Sequence, residues 1–178
     1  MKTTKEVSIS LRNNTEKEQV AKRLLETILE KYSLDKWILC NEVVIEEGAS
    51  GKAFPIIRLS VWRDKEDGML AQFIHEQYHW IERGHEETMI EAMDELRKIF
   101  PNAPIEKPEG GGSDKSTYVH LIVCRLEFLG LKEILGEDRA FALVSGNSNY
   151  TWIRKMALDR GSEIDRVIMK YFPESIKH

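Results

Sequence analysis

The sequence predicts an α+β fold, a small and mostly antiparallel sheet packed on helices, and three observations carry that reading. Short β-rich runs cluster in the first third of the chain. Helical periodicity then dominates from about residue 68 onward. One segment, Tyr118 to Leu135, is apolar on nearly every side, as a central buried helix requires. The chain has 178 residues, enough for a single domain, 1–178, with a sizeable core. No internal repeat is visible.

Each element has a local reason. Glu6 to Leu11 alternates weakly and reads as a first strand. Thr15-Glu16-Lys17-Glu18 has the pattern of a capping box, and Val20, Leu24, Ile28 and Tyr32 recur behind it at helical spacing, predicting a helix over 15–32. Trp37 to Cys40 and Val43 to Ile45 read as one long or bulged strand. Residues 49–52 turn the chain. Ile57, Leu59 and Val61 alternate with Arg58, Ser60 and Trp62 in a half-buried strand. A helix is expected over 68–82, ended by Gly84, and another over 86–100, ended by Pro101. The stretch 101–116, with three prolines and the run Gly110 to Gly112, is long for a loop in a compact domain and reads as mobile or functional. Shorter elements close the chain, the last a helix over 162–171.

Composition narrows the function classes. Charged residues make up 31% and apolar residues 42%, as in ordinary globular proteins, and the net charge is −4. An acidic balance argues against a nucleic-acid partner, which needs a basic face. No apolar run is long enough to span a bilayer, and the start of the chain lacks the apolar stretch of a signal peptide. Cys40 and Cys124 make no disulfide framework, so a cytoplasmic protein with reduced thiols is expected.

The chemistry lies in His75-Glu76-Gln77-Tyr78-His79, an H-E-x-x-H motif. On a helix, positions i and i+4 share a face, so both imidazoles can reach one ion. Glu76 sits one step round, where its carboxylate is placed to act on a water instead of binding the metal. One Zn2+ ion is therefore the expected cofactor. Zinc lowers the pKa of a bound water towards ~7, and a neighbouring carboxylate can then take its proton.

HEQYH, on a helix that follows a set of strands, resembles the zincin superfamily of zinc metallopeptidases. The match covers about 30 residues well and the rest only in architecture. The resemblance implies a zincin-like fold, with His75 and His79 as ligands and Glu76 as general base. It also implies a peptide or protein substrate held in extended form along the strand from Ile56 to Trp62.

A catalytic zinc needs a third protein ligand, and the sequence leaves three alternatives. His120, Cys124 and Glu127 share one face of the apolar helix, where a buried imidazole or carboxylate requires a partner. His120 ranks first. Glu127 ranks second: the zincin branch with a glutamate ligand places an Asp four residues further on, and here Leu131 stands there. His120 and Glu127 are two turns apart, so one would be the ligand and the other would lie behind it or pair with a basic group such as Arg125. His85 ranks third. It falls at the third-histidine spacing of another branch, but Glu82 replaces that branch's glycine, and the simpler reading is a helix-capping residue. Cys124 reads as a small core residue. Tyr118 and Tyr150 are candidates for stabilising an oxyanion. The sequence thus points to a zinc-dependent metallopeptidase or hydrolase, with a non-catalytic, metal-binding regulatory module as the alternative.

Overall fold

The structure is a computed structural model that describes residues 3–48, 53–61 and 65–175. The turn expected at 49–52, and Trp62 at the end of the third strand, lie outside the described residues. The protein is mixed helix and sheet, and mostly helical. It divides into two compact units, residues 1–80 and 81–178.

The first unit holds strand β1 (Ser8–Leu11), helix α1 (Glu16–Lys31), β2 (Glu42–Glu46), β3 (Ile57–Ser60) and α2 (Glu66–Tyr78). Thr15 caps α1, and the capping box is complete: the Thr15 side chain accepts from the Glu18 backbone and the Glu18 side chain reaches back to Thr15. Ala21, Leu25 and Ile28, buried at helical spacing, face the core with Ile45, Ile57, Leu59, Phe73 and Ile74.

The sheet corrects the sequence reading. Its order is β1-β2-β3 and both pairs are parallel, with Ile9 opposite Val43 and Val43 opposite Ile57. The physical reason is the connection. α1 carries the chain across the sheet, so β2 starts from the same end as β1, as in any strand–helix–strand crossover. β3 likewise runs in the same direction as β2. These strands form a parallel sheet and not the mostly antiparallel one expected.

A second correction concerns residues 37–45, read as one strand. Asp35–Trp37 is a 3-10 turn and only Glu42–Glu46 is strand. Ahead of β2 the backbone finds a side chain instead of a strand partner. Gln77 Oε1 accepts from the N–H groups of Leu39 and Cys40, both at 2.8 Å, and its Nε2 donates to the Cys40 carbonyl at 2.8 Å.

The second unit is helical: α3 (Glu86–Ile99), α4 (Asp114–Leu135), α5 (Glu137–Ser145), α6 (Thr151–Asp159) and α7 (Gly161–Tyr171). α4 packs against all four of the others and is buried on nearly every side, as its composition predicts. Ser113 caps it, accepting from the Ser116 backbone.

The 101–116 stretch is built into this unit. Gly110 N donates to Glu106 O, Gly112 N to Ile105 O, and Thr151 N to Pro108 O, all between 2.7 and 2.9 Å. Gly111 N donates to Thr117 Oγ1, which donates in turn to Pro104 O. A Cβ on Gly110 would lie 2.1 Å from the Pro104 oxygen, and one on Gly111 would lie 2.6 Å from Ser116. Gly110 and Gly111 are therefore there for close backbone packing, while Gly112 takes a left-handed φ of +84°.

Candidate metal centre

In the first unit the motif occupies the last turn of α2. The helix begins at Glu66, and Met69, Leu70, Phe73 and Ile74 anchor it with fully buried side chains. His75, Glu76, Gln77 and Tyr78 are all buried. His79 is half-buried at the C-cap, still in right-handed helical geometry at φ −61°, ψ −24°. A 3-10 turn, His79–Glu82, follows, and Gly84 at φ +79° takes the left-handed conformation that ends the helical run.

Because His79 keeps helical geometry, the two imidazoles converge. Their ring centroids are 5.1 Å apart with the planes at 74°. Two imidazoles on one tetrahedral zinc, with Zn–N of about 2.0–2.1 Å, have ring centres about 5 Å apart. The centroid spacing matches that of a pair on one ion, and each ring offers a nitrogen within 4.8 Å of the other's. Glu76 is 6% exposed and His75 8%. Between these groups Gln77 serves the fold through its clamp on the Leu39–Cys40 backbone. Trp80, just beyond the motif, donates from Nε1 to the Ala53 carbonyl at 2.8 Å and packs against Phe54.

In the second unit α4 carries His120, Cys124 and Glu127, all buried. His120 Nδ1 lies 2.7 Å from the Ser116 carbonyl oxygen and 3.2 Å from Ser116 Oγ. A carbonyl only accepts, so Nδ1 carries the proton and the lone pair of a neutral ring resides on Nε2. A backbone carbonyl orients metal-binding histidines in the same way. The ring also stacks on Tyr150, centroid to centroid 4.1 Å. Tyr150 stands at the N-cap of α6 in left-handed geometry, φ 59° and ψ 39°, which a bulky side chain rarely adopts. That strained backbone delivers the ring to His120.

Glu127 has a different neighbour from the one expected. Arg154 Nη1 lies 3.1 Å from Glu127 Oε1 and 3.0 Å from Oε2, and both side chains are almost wholly buried. Burial alone would lower the Arg154 pKa, but the Glu127 charge outweighs it and holds the guanidinium firmly protonated. Arg125, the partner suggested by sequence, pairs instead with Asp165 at 2.6 and 2.7 Å. Arg154 is the residue that sequence reasoning missed. Its signal was weak: it stands beside Ile153 and three residues before Ala157, both core residues, on the inward side of a short helix.

Two further candidates, His85 and Tyr118, have the following contacts. His85 is exposed at the N-cap position of α3, makes no capping hydrogen bond, and sets its ring against Phe172. Tyr118 donates its hydroxyl proton to the Phe100 carbonyl at 2.8 Å, with Arg97 over its ring. Buried histidine, cysteine and glutamate side chains able to hold a metal ion are thus present: His75, with half-buried His79, in the first unit, and His120, Cys124 and Glu127 in the second.

No family model, curated protein or solved structure matches this chain.

Proposed function

We propose that this protein is a zinc-dependent hydrolase of peptide or amide bonds, with His75 and His79 as two ligands and Glu76 as the general base. The observation that carries the reading is the convergence of the His75 and His79 rings at a spacing suited to one tetrahedral ion. His120 stays the first of the third-ligand candidates that the sequence offers, because its Nδ1 bond to a backbone carbonyl is of the kind that orients metal-binding histidines. Glu127 is set aside because Arg154 already holds both of its carboxylate oxygens.

Bound by these residues, zinc would supply Lewis acidity and a water of lowered pKa. The chain's own part is positional. The α2 helix fixes two imidazoles and leaves the Glu76 carboxylate one step round the cylinder, where an Oε can take a proton and return it to a leaving amine. β3, at one end of the sheet among the described residues, offers a backbone edge along which an extended substrate could lie. The zincin resemblance enters through this helix and its residues, and not through the sheet.

The test is Glu76→Gln. The variant should retain zinc at the wild-type stoichiometry and lose peptide- or amide-bond hydrolysis by roughly 100-fold or more, measured on a mixed peptide library by mass spectrometry. The deep burial of His75 and Glu76 favours a second reading, a closed structural zinc in a regulatory module. Under that reading Glu76→Gln changes no activity at all, because there is none to lose.

A further inference from the structure

The residues around β1 are complementary to themselves. In the parallel ladder, Ser8 N donates to Asn41 O at 2.8 Å and Arg12 N to Ile45 O at 2.9 Å. Backbone groups alternate sides along a strand, so the even-numbered residues face β2. The N–H and C=O groups of Val7, Ile9 and Leu11 therefore point away from the sheet. No strand pairs with that outer edge among the described residues. Ser8 and Ser10 are exposed, as are Glu6 and Arg12 on either side, while Val7, Ile9 and Leu11 are half-buried. Val7 and Ile9 line an open groove together with Leu29, Lys22 and Glu26 of α1.

We propose that this edge is a dimer interface at which β1 pairs antiparallel with β1 of a second copy of the chain, about a twofold axis through Ile9. That register sets Glu6 opposite Arg12, Val7 opposite Leu11, Ser8 opposite Ser10, and Ile9 opposite its own copy. The Ile9–Ile9 and Val7–Leu11 positions are the ones whose backbone groups point outward, so they exchange both hydrogen bonds. Glu6–Arg12 and Ser8–Ser10 then fall at the intervening positions, where facing side chains come closest. The twofold axis makes the Glu6–Arg12 pair occur twice.

Charge, polarity and hydrogen-bonding phase thus agree in one register. A shift by one residue would bring Ser8, whose backbone is already used by β2, to a hydrogen-bonding position and lose all of them together. The result is a six-stranded sheet that removes an exposed edge. The inference is independent of the metal and of any hydrolysis.

Sedimentation velocity of the full chain across the micromolar range tests it with three variants. The wild type should dimerise reversibly. Glu6→Arg, which sets arginine against arginine twice, should weaken the dimer at least about tenfold. Glu6→Arg with Arg12→Glu restores opposite charges and should recover wild-type affinity to within about threefold. Ile9→Pro removes one outward N–H, a loss edge strands tolerate, and should give a folded monomer by circular dichroism. A wild type that stays monomeric throughout would overturn the proposal, as would a dimer indifferent to the charge swaps. A monomer that instead captures an unrelated extended peptide at β1 would overturn the second copy as occupant.

Discussion

Glu18 shows how a single side chain can serve two parts of the chain at once. It completes the capping box of α1, and its carboxylate also accepts from Asn13 N and Glu47 N, both at 2.9 Å, and from Asn13 Nδ2 at 3.1 Å. Burial pushes its pKa up, but these backbone and side-chain donors outweigh burial and hold it below the ordinary 4.5. A pKa lowered by folding means that the unfolded chain binds the proton more tightly. The stabilisation is therefore complete above about pH 4.5 and is lost as pH falls through the folded value. Glu18→Gln should cost about 1–3 kcal/mol at neutral pH. Urea titrations of both proteins should show that gap constant from pH 7 to about 4.5 and closing below it. A gap that widened on acidification would contradict the assignment. The capping role was legible in Thr-Glu-Lys-Glu, because it is a local pattern. The bond to Glu47, 29 residues away, was not.

At the scale of elements, the helices were more legible than the sheet, and the reason is physical. α1, α4 and α7 follow from periodicity and caps, which are written within a turn or two of the sequence. Alternation in Val43 to Ile45 and Ile57 to Ser60 reports which face is buried and says nothing of the neighbouring strand's direction. The parallel order was set by α1 as a crossover. Gln77 likewise replaced strand pairing at Leu39 and Cys40 through a contact no local pattern announces. The 101–116 stretch, read as mobile or functional from its prolines and glycines, needs Gly110 and Gly111 for close backbone packing. Gly110→Ala should accordingly destabilise the protein by more than about 3 kcal/mol, since a Cβ there meets backbone oxygen and not a movable side chain. Gly84→Ala meets nothing within 4 Å, so only its positive φ is at stake and the cost should be about 1–2 kcal/mol. Thermal denaturation of the two variants checks the order, and an equal loss in both would contradict it.

For the molecule as a whole, the formal charge is −4, and among the described residues no helix is long and apolar enough to cross a membrane. The candidate metal residues lie in both compact units, on two helices far apart in sequence. The H-E-x-x-H pair was legible because one helical turn fixes it. The choice between His120 and Glu127 was not legible, because it turns also on Tyr150 and Arg154, which reach them through folding. The claim on which the functional reading depends is that His75 and His79 share one zinc ion. Metal analysis of the chain purified without added metal, beside His79→Ala, tests it most directly. The account predicts about one zinc per chain in the wild type and loss of that zinc in the variant. A wild-type chain that carries no zinc and takes none up from solution would contradict it.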